Sequence, residues 1–113
     1  MSSLLNTTLC LQKLENWKKL VTVADKALNV EPNNIKAIYR KALALKNLQE
    51  YESAIEILEK ALQNIENDTE LKKKIDGSMV KELTTLLTST KTALNSYLKK
   101  QKNIYKSMFG ASE

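Results

Sequence analysis

The apolar positions in the first third of the chain step by three and four: Leu4, Leu11 and Leu14, then Trp17, Leu20, Val21, Ala24, Ala27 and Leu28. Residues spaced in this way share one face of an α-helix, so the stretch predicts two amphipathic helices over about 2–14 and 17–30. The series returns 34 residues later. Leu4 falls on Ile38, Thr8 on Ala42, Leu11 on Leu45, Leu14 on Leu48, Trp17 on Tyr51, Leu20 on Ala54, Val21 on Ile55, Ala24 on Leu58, Ala27 on Ala61 and Leu28 on Leu62. A second helix pair is therefore expected over about 34–48 and 51–64. Between the pairs, Pro32 cannot continue a helix, while Asn33 and Asn34 supply the turn and the N-cap of the third helix. Repeats of one helix pair stack so that each unit buries its apolar face on the next. Small side chains at Thr8, Ala27, Ala42, Ala54 and Ala61 suit close helix approach, and Trp17 and Tyr51 fill the space between pairs.

From Asp68 onward the repeat fades, but a mostly helical spacing continues through Leu71, Ile75, Met79, Leu83, Leu86, Leu87, Leu94, Tyr97, Leu98, Ile104, Tyr105 and Met108. This predicts one long helix or two, with Asp76, Gly77 and Ser78 as the interruption and Ser78 as a candidate N-cap. Its proximal apolar face is expected to cap the open end of the stack beside Ala54, Leu58 and Leu62. The organisation read from the pattern is two repeats over 1–68, about 1–34 and 35–68, followed by a basic helical extension over 69–113.

Composition agrees with an all-α fold, since two Gly and one Pro leave little turn material for a β-rich chain. Residues 1–68 carry nine Lys/Arg and nine Asp/Glu, whereas residues 69–113 carry nine Lys and four acids. The excess positive charge lies wholly in the extension, which argues against a nucleic-acid footprint spread over the whole domain. One cysteine, Cys10, and no histidine leave no disulfide or Cys/His metal cluster to build, and fit a reducing compartment, cytoplasmic or nuclear. Cys10 is expected to be a small buried or half-buried residue. With no histidine, no Gly-rich phosphate loop and no activated nucleophile, catalysis has no basis, and neither a cofactor, a metal nor a membrane partner is expected.

A unit of 34 residues with Trp17, Ala27 and Pro32 in one copy and Ala42, Tyr51, Ala54 and Ala61 in the next resembles the tetratricopeptide repeat over residues 2–66. More narrowly, this stretch is similar to the last two repeats of the large immunophilins, peptidyl-prolyl isomerases of the FK-binding type, and of related heat-shock co-chaperones. The terminal KNIYKSMFG, with Tyr105, Met108 and Phe109, resembles the end of the basic helix that follows their last repeat. Those proteins carry a preceding repeat and an isomerase domain, so the resemblance implies a C-terminal piece of a longer protein.

Lys36 and Arg40, four apart on the third helix, share one face, while Ile38 and Ala42 turn to the core. No acid stands nearby in sequence to neutralise them. By spacing alone the pair reads either as solvated surface cations or as a carboxylate site, with Arg a planar fork and Lys a mobile charge. The resemblance implies the second reading, a clamp that grips the acidic C-terminal tail, Glu-Glu-Val-Asp, of a heat-shock chaperone of the ninety-kilodalton class. Its later members match Asn6, Lys36 and Arg40. Two further members come from the preceding repeat in that family, and their loss is expected to weaken binding on the order of 100-fold. The alternative is a structural, self-associating fragment that dimerises through Leu4, Leu5 and Leu11 of the open first helix. Distally, Lys99, Lys100, Lys102 and Lys106 interleave with Tyr105, Met108 and Phe109, a basic amphipathic pattern that is either a solvated extension or a calmodulin-type helix.

Overall fold

The computed structural model describes residues 2–75 and 77–109, with side chains for 4–75 and 77–108. Four helices form two antiparallel pairs: α1 (Ser2–Lys13) with α2 (Trp17–Val30), and α3 (Ile35–Asn47) with α4 (Tyr51–Asn67). A short α5 (Thr69–Lys74) leads to α6 (Gly77–Phe109), which packs chiefly on α4 and to a lesser extent on α3. This is the expected all-α, tetratricopeptide-like arrangement of two helix pairs and a long C-terminal helix.

The 34-residue repeat extends to the turns. In the first pair Glu15 N–H donates to Gln12 O and Asn16 N–H to Leu11 O; in the second, Gln49 N–H donates to Lys46 O and Glu50 N–H to Leu45 O. The turn residues Glu15 (φ 57°) and Gln49 (φ 65°) both adopt the left-handed conformation that satisfies the last helical carbonyls. A glycine would occupy it more readily. Asn34 caps α3 by accepting from Ala37 N–H at 3.1 Å, and Asp68, again 34 residues on, caps α5 by accepting from Glu70 and Leu71 N–H. The start signal of a third unit is thus retained, but the helix it starts lasts only six residues. The helices break at Ile75, just before the expected Asp76-Gly77-Ser78: α6 begins at Gly77 and takes Ser78 into its first turn, so Ser78 is not its N-cap, and Asp76 lies outside the described residues.

Two apolar clusters hold the stack. Leu11, Leu20, Val23, Ala24 and Ala44 join the first pair to α3, with Trp17 packed against them. Ile38, Ala42, Leu58, Ala61, Leu83 and Leu86 belong to the second, which binds α6 to the second pair. The small residues Thr8, Ala27, Ala42, Ala54 and Ala61 are all buried, as close helix approach requires. Tyr51 is half-buried and its ring meets that of Tyr97 at 5.8 Å between centroids, so it also anchors α6.

Two expectations fail on α1. Leu14 is 75% exposed, because it lies in the reversing turn just past the end of α1, the outermost helix of the described stack. Cys10 is exposed and not half-buried, since it falls on the side of α1 away from the Leu11 cluster. Leu11 itself is buried, so the exposed large apolar side chains here are Leu9 of α1 and Leu14 of the turn.

Candidate functional site: a cationic cleft beside α3

Arg40 reaches across from α3 to α1. Its Nη1 donates to the Leu5 carbonyl at 2.9 Å and to Thr8 Oγ1 at 3.1 Å, while the Thr8 hydroxyl donates to the same carbonyl at 2.7 Å. Thr8 is fully buried, so this three-membered network ties the two helices together in a partly dry setting. Burial pushes the Arg40 pKa below its ordinary value. That value is so far above neutrality that the guanidinium stays charged. Among the described residues Arg40 forms no ion pair, and its Nη2 and Nε take part in none of these bonds.

Lys36, one turn earlier, is exposed and opens on the same space as Arg40. Both line a cleft of about 500 Å³ bounded by Leu9 and Gln12 of α1, Tyr39 of α3, and Met79 and Glu82 of α6. The structure therefore brings Lys36 and Arg40 together. It leaves Asn6, exposed on α1, outside the cleft lining, where Leu9 and Gln12 stand instead. An acid from far along the chain joins them: Glu82 lies 42 residues from Arg40 in sequence and lines the same cleft through the packing of α6 on α3 and α4, forming no ion pair with either cation among the described residues. The arrangement is suited to an anion of modest size. A carboxylate would find one half-buried planar donor already fixed in orientation and one mobile ammonium at the rim.

Sequence reasoning missed Thr8 as a partner of Arg40, although the repeat held a signal: a hydroxyl stands where the second copy has alanine at position 42. The contribution of Met79 and Glu82 depends on long-range packing and had no local signal.

At the other end, Lys99, Lys100, Tyr105 and Met108 are all exposed, and Phe109 has no described side chain. At 33 residues α6 is about 50 Å long, roughly twice the length of the 17-residue α4 beneath it. The face that buries Leu83, Leu86 and Thr90 continues into the exposed Tyr97, Ile104 and Met108. Among the described residues no helix is long and apolar enough to cross a membrane, and no group of His, Cys, Asp and Glu could hold a metal ion.

No family model matches the chain. It is 38% identical over 71 residues to sperm-associated antigen 1 of rat and 34% identical over 71 residues to the mouse protein, matches that cover 63% of this chain and 8% of each relative. It is 42% identical over 57 residues to human anaphase-promoting complex subunit 7, covering 50% of this chain and 10% of that subunit. The chain thus spans at most a tenth of the length of these relatives, and none of them is an immunophilin. Together with the 34-residue helix-pair repeat, these matches mark the chain as a tetratricopeptide-like helical-repeat module of the protein-interaction type.

Proposed function

We propose that this module is part of a co-chaperone and recognises the acidic C-terminal tail of a heat-shock chaperone, with Lys36 and Arg40 receiving carboxylates of the tail. The observation that carries the reading is the placement of Lys36 and Arg40 in one cleft, with Arg40 braced against Leu5 and Thr8. A brace of this kind lowers the ordering cost of binding. Asn6, expected as a third contact, is exposed on the same helix but outside the cleft lining, so the reading rests on Lys36 and Arg40. The match to a named subunit of a multi-protein complex supports a binding role in general.

Titration calorimetry with the peptide Glu-Glu-Val-Asp tests the reading. The free acid is expected to bind, and its C-terminally amidated form to show no heat of binding at the same concentrations. Equal binding of both forms would remove the terminal carboxylate from the account.

A second reading is favoured by the overhanging end of α6. Its exposed apolar face, bordered by Lys99, Lys100, Lys102 and Lys106, has the chemistry of a calmodulin-binding helix. Calcium-loaded calmodulin is expected to shift the protein to a larger species in sedimentation, and Ile104→Ala to weaken that shift. No shift at millimolar calcium would discard this reading.

A further inference from the structure

Where the overhang of α6 leaves the stack, a small cleft of about 240 Å³ opens between the start of α4 and the side of α6. Its walls combine two aromatic rings with two carboxylates. The rings of Tyr51 and Tyr97 lie 5.8 Å apart between centroids and are tilted by 55°. Tyr51 is half-buried and Tyr97 is 37% exposed, so the pair is held by its own contact and still offers aromatic surface to solvent. Glu50 and Glu52, on either side of Tyr51, line the same cleft, and Leu94 and Leu98 of α6 close it with aliphatic surface.

Neither carboxylate is engaged within the fold. Glu50 is the N-cap residue of α4, but its side chain makes no capping hydrogen bond. Neither Glu50 nor Glu52 belongs to an ion pair among the described residues, whereas Glu59, two turns further along α4, is matched by Lys91. The helix N-terminus favours an acid at Glu52 on its own account, but it does not call for two acids beside an open ring pair. No Lys or Arg lines the cleft, although a basic segment begins just past Leu98.

We infer that this cleft binds a methylated or quaternary ammonium group. The face of an aromatic ring is the negative part of its quadrupole and attracts a cation within about 6 Å of the centroid, and the two carboxylates add attraction from the rim. Methylation decides between cations. A plain ammonium is strongly hydrated and would lose that hydration against Leu94 and Leu98, whereas a methylated one carries an apolar shell that the same wall accepts. The cleft is smaller than the roughly 300–1,000 Å³ of sites for drug-sized molecules, so it admits one head group and not a peptide. It shares no residue with the carboxylate cleft and is independent of how that cleft is read.

The test compares choline with its uncharged carbon isostere, dimethylbutanol, on the full chain by proton NMR. Choline is expected to bind in the millimolar range, its methyl signal moving upfield in a saturable way under the ring currents, and dimethylbutanol to show no such shift. Tyr97→Leu keeps the aliphatic bulk but removes a ring, and should weaken choline about 5-fold, while Tyr97→Phe should stay within about twofold of the parent. Glu52→Gln should weaken it about 3-fold, and because Glu52 is exposed the fold is not at stake. Equal binding of dimethylbutanol overturns the inference, since the cleft would then be merely apolar. So does the absence of a saturable shift at tens of millimolar choline, or choline binding that neither Tyr97→Leu nor Glu52→Gln alters.

Discussion

Truncation of Arg40 to alanine is expected to have two separable consequences. The first is loss of peptide binding by roughly 10- to 150-fold, the scale of one charge-assisted hydrogen-bonded contact. The second is loss of stability, because Arg40 Nη1 links α3 to the Leu5 carbonyl and Thr8 hydroxyl of α1. Removing that link should cost about 2 kcal/mol and lower Tm by about 10 °C, with α1 fraying first. Lys36→Ala provides the control. Lys36 is exposed and takes part in none of the ion pairs among the described residues, so its loss should weaken the peptide while leaving Tm within about 2 °C of the parent. Thermal melts of the two variants beside their titrations distinguish a purely structural Arg40 from one that also binds. In the former case Arg40→Ala would shift Tm, but neither variant would change affinity once each was measured well below its melting point.

A larger effect on folding is expected from Leu83→Ala. Leu83 is fully buried, in one cluster with Ala54, Leu58, Ala61 and Ile65 of α4. A cavity there costs about 2–5 kcal/mol, out of a total that for a domain of this size is about 5–15 kcal/mol. Because α6 is held mainly by this contact, the variant should release the helix and expose the apolar face of α4 as well as destabilise the whole. Urea unfolding should show a lower midpoint. Ile104→Ala, on the exposed overhang of the same helix, should leave that midpoint unchanged. If the two variants melted alike, α6 would not be the cap that its packing indicates.

The helices were legible because their information is local. Leu20, Ala24 and Ala27 announce a buried face, Asn34 announces a cap, and the 34-residue offset converts one helix pair into a stack. Asp68 shows how far that logic runs: its capping role repeats that of Asn34, yet the helix it starts stops after six residues, where the chain turns into α6. The site was legible in part. The spacing of Lys36 and Arg40 fixed their shared face, but spacing says nothing about what stands opposite. The Leu5 carbonyl and Thr8 hydroxyl, which orient Arg40, lie 35 and 32 residues away, and Glu82 arrives from a helix beyond the repeats. Such neighbours are set by the angle at which α1 and α6 pack, not by any period in the sequence. Leu14 was misread for the opposite reason, since an apolar residue at a regular position is buried only where a neighbouring helix covers it, and Cys10 because residue type alone favours burial of a thiol.

On the proposed reading an acidic C-terminus docks in the cleft between α1, α3 and α6. A heteronuclear NMR titration of the isotopically labelled chain with Glu-Glu-Val-Asp tests it most directly, because it reports where the peptide sits as well as whether it binds. Saturable shifts are expected at the amides of Leu9, Lys36, Arg40, Met79 and Glu82, together with a shift of the Arg40 guanidinium resonance. Shifts confined to Lys99–Met108, or none at millimolar peptide, would contradict it.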